Sequence, residues 1–240
     1  MNDCHLSLAQ RLFSIPLKAL FIINGEHNDL SKNAVFKDSE ILLRKLESTQ
    51  ILIGGFDISY SENGKCVACL AVINAYDCSL IAHNCIEYKT EIPYIPHFLG
   101  FRECPAYEKL IDDFKTKFPL IDVDVYMIDG NGAFHPRRCG SATQLGVSMN
   151  ITTIGFSKNF LVWDGLPNSV MEMKTKKDLK WNDIVQSVCL GGSTKPCYVS
   201  PGHGISLETS VIICQLVGKY RVPEPIRQAD ILSKMQLRCV

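Results

Sequence analysis

Residues 51 to 75 read ILIGGFDISYSENGKCVACLAVINA. Two apolar runs, ILIGGFDISY (51–60) and CVACLAVINA (66–75), flank Asn63-Gly64, the dipeptide that most strongly favours a tight hairpin turn. A third run, SLIAHNCIEY (79–88), follows the plausible turn AYDCS (75–79), so three antiparallel strands open the core. Downstream, VDVYMID (123–129) is a nearly continuous apolar run of strand length, as a buried strand requires. A short helix over 140–149 and a further strand, ITTIGF (151–156), complete a strand-helix-strand crossover, which implies parallel pairing. A mixed sheet flanked by helices in one α/β domain is the expectation.

The remaining elements are read around this frame. A helix is expected just after Glu103, with Pro105 in its first turn. Tyr107, Leu110, Ile111, Phe114 and Phe118 then recur at helical spacing on one face. Further strands are expected in IVQSVCL (184–190) and PCYVS (196–200). A helix is expected from the N-cap Ser206 to Val217, and a last short one from residue 226. The first 45 residues combine an amphipathic piece near Leu6 to Leu20, the polar stretch GEHNDLSKNA (25–34) and the helical SEILLRKLE (39–47). They are expected as a helical segment on the 46–240 core, covering the sheet or touching substrate. KTKKDLKWND (174–183) reads as a basic, exposed, solvated face.

Composition narrows the function classes. The 25 lysines and arginines balance 25 aspartates and glutamates over 240 residues, so no global field steers nucleic acid and any such partner needs a local patch. Eleven cysteines with no evident secretion signal read as reduced thiols in a cytoplasmic or nuclear protein, not a secreted one. Cys66 and Cys69 have a zinc-like spacing, but they lack a second pair and point to opposite faces of a strand. No apolar run is long enough for a membrane span, and a monomer is expected.

The acidic residues carry the chemistry. Asp57 interrupts an apolar strand, Asp129 ends the buried one, and Glu103 stands at a helix start. Carboxylates there are capped, salt-bridged, or gathered around a cation. If they converge on one rim, they offer the hard oxygen ligands that magnesium prefers. The loop PYIPHFLGFRE (93–103) is stiffened by Pro93 and Pro96 around Tyr94 and Ile95. Either it packs its own aromatics under the core or it presents an apolar tip.

Six blocks, GFDISY, PYIPHFLGFRE, DGNGAFHPRRCG, TIGFSKNFL, YVSPGHGISLE and RVPEPIRQAD, stand in this order between about residues 50 and 235. Together they resemble the endonuclease V family. The resemblance implies a ribonuclease H-like fold and magnesium, with manganese as substitute. It implies cleavage at the second phosphodiester 3′ to inosine by two-metal hydrolysis, leaving 3′-hydroxyl and 5′-phosphate ends. Asp57, Glu103 and Asp129 match the family's metal-binding acids, with Asp230 as a further ligand or support. Lys158 matches a lysine that meets the scissile phosphate. Pro93, Tyr94, Ile95 and Pro96 become a wedge that fills the gap left by an everted base. His97, Leu99, Gly130, Gly132 and Leu161 border the base pocket. Arg102 either contacts a phosphate or pairs with an acid.

The chain departs from the family in four places. His97 stands where glycine is usual, Gln144 where many relatives have histidine, and glycine follows His203 where animal members tend to have arginine. The stretch between DGLPNS and STKPCYVS is also short. His203 and His135 read as structural hydrogen-bonding residues. DGNG, RQAD and the cysteine content resemble the animal branch, so inosine-containing single-stranded RNA is the expected partner. The alternatives are a deoxyinosine-directed DNA repair nuclease and a non-catalytic inosine reader.

Overall fold

The computed structural model describes residues 17–48, 50–61, 65–90, 92, 95–163 and 183–239. Among these, the helices are α1 (Leu17–Asn33), α2 (Glu40–Glu47), α3 (Leu99–Lys117), α4 (Ser141–Met149), α5 (Leu207–Leu216) and α6 (Glu224–Cys239). The strands are β1 (Leu52–Tyr60), β2 (Cys66–Asn74), β3 (Leu80–Tyr88), β4 (Val125–Asp129), β5 (Thr153–Ser157), β6 (Gln186–Val188) and β7 (Cys197–His203). They form one sheet in the order β3-β2-β1-β4-β5-β7-β6. β1, β2 and β3 pair antiparallel, and β4 lies parallel to both β1 and β5. This is the mixed α/β sheet expected of a ribonuclease H-like fold.

Both faces are covered because the strands alternate. Ile53, Val125, Met127, Ile154 and Phe156 bury one face against residues of α5 and α6. Phe56, Tyr126 and Ile128 bury the other against Tyr107, Leu110, Ile111 and Phe114 of α3, with Ala142 and Leu145 of α4. Gly55 decides how closely α6 can sit. A Cβ there would lie 2.2 Å from the Pro225 carbonyl carbon and 2.4 Å from the Ile226 nitrogen, so the α6 backbone rests directly on β1.

Several expectations need correction. The polar stretch 25–34 belongs to a helix through Asn33, since α1 runs that far. α3 begins at Leu99, one turn before Glu103, and carries Pro105 inside it. The last helix is 16 residues long rather than short. The cysteines are not all reduced thiols, because Cys69 and Cys85 form a disulfide between β2 and β3. They are direct cross-strand partners with Cα atoms 4.1 Å apart, a proximity that spacing along the chain does not reveal. Asn63-Gly64, residues 1–16 and the basic run up to residue 182 lie outside the described residues.

Candidate active site

Parallel pairing brings the first two acids together. Phe56 of β1 is in register with Ile128 of β4, so Asp57 and Asp129 follow on adjacent strands and point to the same face. That face carries α6, whose Ser233 hydroxyl donates to Asp57 Oδ2 at 2.7 Å. Asp230 lies one turn earlier on the same helix and pairs with Lys234 at 2.6 Å. Lys158, just past the end of β5, forms an ion pair with Asp129 Oδ2 at 2.5 Å. Glu103 enters from α3 and is only 9% exposed. Its side-chain partner is the Tyr107 hydroxyl, which donates at 3.4 Å.

The electrostatics match a crowded acidic rim. Burial raises the Asp57 pKa, and the charges of Asp230 and Asp129 raise it further against the Ser233 hydrogen bond. Burial, then Asp129 and Asp57, push Glu103 up from 4.5 to about 8. Burial works against the Lys158 charge, but Asp129, Asp57 and Asp230 outweigh it and raise that pKa. The acids therefore hold more negative charge than Lys158 and Lys234 offset, and the Arg102 charge opposes the rise at Glu103 without cancelling it. Such a hard-oxygen donor set fits a divalent cation such as magnesium. Asp129 is meanwhile held by Lys158 and Asp57 by Ser233. Among the described residues, no three His, Cys, Asp or Glu groups stand close enough to hold an ion as they are.

A stability measurement tests this reading. The Glu103 pKa is higher folded than unfolded, so between about pH 4.5 and about 8 the folded state keeps a proton that the unfolded state has released. This contribution is complete below that window and is lost as pH rises through it. In chelator, the melting temperature of the wild type relative to Glu103→Gln should fall from about pH 5 to about pH 8. Magnesium should recover it most at the upper end, where expelling the proton is easiest. A difference that rises with pH in chelator contradicts the assignment.

Next to the acids lies a cavity of about 190 Å³. His97, Leu99, Gly130 and Leu161, four of the expected base-pocket residues, line it. Gly130 directly follows Asp129, and Leu99 stands one helical turn before Glu103, so cavity and acids share a border. Gly132 does not line it. A Cβ on Gly132 would meet the Pro201 carbonyl oxygen at 2.2 Å, so this glycine serves the contact between β7 and the loop after β4.

The approach to α3 is more buried than expected. Pro93 and Tyr94 lie outside the described residues. Ile95 is only 4% exposed, so it is an anchor rather than a solvent-facing tip, and Pro96 is half-buried. The Arg102 guanidinium stacks 4.7 Å over the Tyr60 ring. His203 Nδ1 accepts from the Val35 N–H at 3.3 Å.

Sequence reasoning missed three contributors. Ser233 and Tyr107 hold the acids, and Tyr107 was detectable as the residue one turn after Glu103. His27, from the N-terminal helix α1, lines the cavity with His135. It stacks against Phe98 with centroids 5.4 Å apart. Its Nδ1 accepts from Arg137 Nε at 2.9 Å, and its Nε2 donates to Gln144 Oε1 at 3.3 Å. Burial, then the charge of Arg137, holds His27 down at about 4. No local pattern around residue 27 signals that long-range role.

Comparison with known proteins agrees with this geometry. The family model for Endonuclease V matches residues 37–231. The chain is 30% identical over 239 residues to human Endonuclease V, covering 93% of this chain and 85% of that protein. It is 34% identical over 209 residues to Endonuclease V of Xylella fastidiosa, covering 86% and 84%. Among solved structures it is similar to Endonuclease V of Ciona intestinalis in complex with a 23mer DNA containing an inosine followed by a ribo-adenosine. That match has a TM-score of 0.82 and 29% identity, covering 93% of this chain and 99% of the other.

Proposed function

The chain belongs to the endonuclease V family, and on that premise we propose that it is a magnesium-dependent endoribonuclease acting on inosine-containing single-stranded RNA. It cuts the second phosphodiester bond 3′ to inosine and leaves 3′-hydroxyl and 5′-phosphate ends. The observation that carries this reading is the shared border between the acidic rim and the cavity, through Gly130 beside Asp129 and Leu99 a turn from Glu103. A base held in the cavity leaves its 3′ backbone to run across the acids.

Each residue then has a task. Asp57, Glu103 and Asp129 would hold the metal, with Asp230 in support, and the position of Asp57 and Asp129 on adjacent strands supports that assignment. Bound there, magnesium would neutralise phosphate charge and make the attacking water more acidic. Glu103 gives up the proton that burial retains. Lys158 exchanges Asp129 for a phosphoryl oxygen as charge builds in the transition state. Ser233 keeps Asp57 oriented. Ile95 anchors the loop that carries Tyr94 into the gap left by the base, and Arg102 is within the same loop-helix junction to meet the backbone.

RNA is favoured over DNA because the Ciona intestinalis protein was captured with a ribo-adenosine directly after the inosine, where a 2′-hydroxyl can be read. Deoxyinosine-directed repair is the second reading, supported by the DNA that forms the rest of that ligand.

Matched RNA and DNA oligonucleotides carrying one inosine separate the two. Faster cutting of RNA supports the proposal, and faster cutting of DNA moves the protein to repair. Lys158→Ala should lower kcat by about 100-fold with little change in oligonucleotide affinity. An unchanged kcat removes Lys158 from the chemistry.

A further inference from the structure

The turn that leads into α3 carries a side chain its backbone does not favour. His97 has φ +65°, in the left-handed region where glycine is at ease and a β-carbon is strained. The turn itself is closed by main chain, with the Phe98 N–H donating to the Ile95 carbonyl at 3.0 Å. The His97 carbonyl faces inward and accepts from Arg137 Nη2 at 2.5 Å and from His135 Nε2 at 3.0 Å. Glycine would make every one of these contacts without strain. The imidazole is therefore not required by the turn.

His97 lines the cavity, and among the described residues its buried Nδ1 has no hydrogen-bond partner. The other histidines of the wall are committed. His27 uses Nδ1 on Arg137 and Nε2 on Gln144. His135 uses Nε2 on the His97 carbonyl, and its Nδ1 accepts from the Arg137 N–H at 3.4 Å. Burial, then the charge of Arg137, lowers the His97 pKa and so disfavours the charged ring. A ring whose buried Nδ1 is unpaired, beside a cavity, calls for a partner that the protein itself does not supply.

We infer that His97 is a specificity-determining residue, whose unpaired ring nitrogen hydrogen-bonds the lactam edge (N1–H and O6) of a 6-oxopurine base in the cavity. This rests on the reading of the cavity as a base pocket. A purine without that edge leaves the nitrogen buried and unpaired, and is rejected by about the worth of one buried hydrogen bond. Discrimination at this wall therefore belongs to a side chain, whereas a glycine there would leave it to main-chain groups.

The test is binding in chelator, so that the result does not depend on cutting. Affinities are compared for single-stranded RNA carrying one inosine or one nebularine, the purine nucleoside without N1–H and O6. The wild type should prefer inosine, and His97→Gly should reduce that preference by about tenfold. His97→Asn, which tolerates the left-handed turn and restores a polar group, should recover part of it. His97→Gly should melt no lower than the wild type, which separates lost recognition from lost folding. Equal preference in wild type and His97→Gly overturns the inference, as does a wild type that binds both RNAs alike. Inosine-selective binding that depends on His97 but never leads to cutting with magnesium upholds the inference and removes the nuclease proposal instead.

Discussion

Asp57→Asn should lower cleavage by on the order of 10³-fold or more and still fold, with a melting temperature in chelator equal to or above that of the wild type. The two halves of this result have one cause. Burial and the charges of Asp230 and Asp129 work against the Asp57 carboxylate, so the native protein carries repulsion there that a bound cation would relieve. Asparagine has the same shape and still accepts the Ser233 hydroxyl that reaches Asp57 at 2.7 Å. It removes only the charge. Stability in chelator is therefore kept or gained, while magnesium should stabilise the variant less than it does the wild type. Retained cleavage would take Asp57 out of the metal site. A variant that melts several degrees lower in chelator would mean that the carboxylate is a structural ligand of α6 instead.

Gly55→Ala should reduce both stability and cleavage, although residue 55 touches no substrate. Its added Cβ would lie 2.2 Å from the Pro225 carbonyl carbon, and a backbone atom cannot rotate away. α6 must lift from β1, at a cost typical of overpacking, about 1–3 kcal/mol. For a chain of this size that is a drop of several degrees in melting temperature, at about 2–4 °C per kcal/mol. The same displacement carries Ser233 and Asp230 away from Asp57, so cleavage should fall by about tenfold or more. Gly25→Ala is the control. It lies in α1 with no atom within 4 Å of the added carbon, and should be neutral or stabilising by up to about 1 kcal/mol. Equal effects at the two glycines would show that α6 does not depend on the bare β1 surface.

The parts of the fold that were readable are those that local chemistry specifies. Apolar runs separated by turn signals located β1, β2 and β3, and the continuous apolar run at 123–129 contained β4 with two residues to spare before it. The apolar spacing of α3 was visible, but its start was not. Pro105 read as a first-turn residue because proline is favoured there, whereas the helix extends back to Leu99 and accommodates it. α1 was obscured by its polar residues, since burial of one histidine among aromatics of another helix leaves no periodic mark.

The site divides in the same way. The acids were legible as charges placed in or beside apolar strands, which burial makes costly without a reason. Ser233 was not, because a serine within a helix has many ordinary uses. Gly130 and Gly132 look alike in DGNG, yet one borders the cavity and the other packs on the Pro201 carbonyl. Only the path of β7, distant in the chain, distinguishes them. The Cys69–Cys85 disulfide likewise depends on strand register rather than on spacing.

One measurement bears most directly on the account. An end-labelled single-stranded RNA with a single inosine is incubated with the protein in magnesium and in chelator, and the products are mapped beside an adenosine control. One cut is expected, at the second phosphodiester 3′ to inosine, present only with magnesium and only with inosine, ending in a 3′-hydroxyl. Cutting that persists in chelator, or that ignores the inosine, would contradict it.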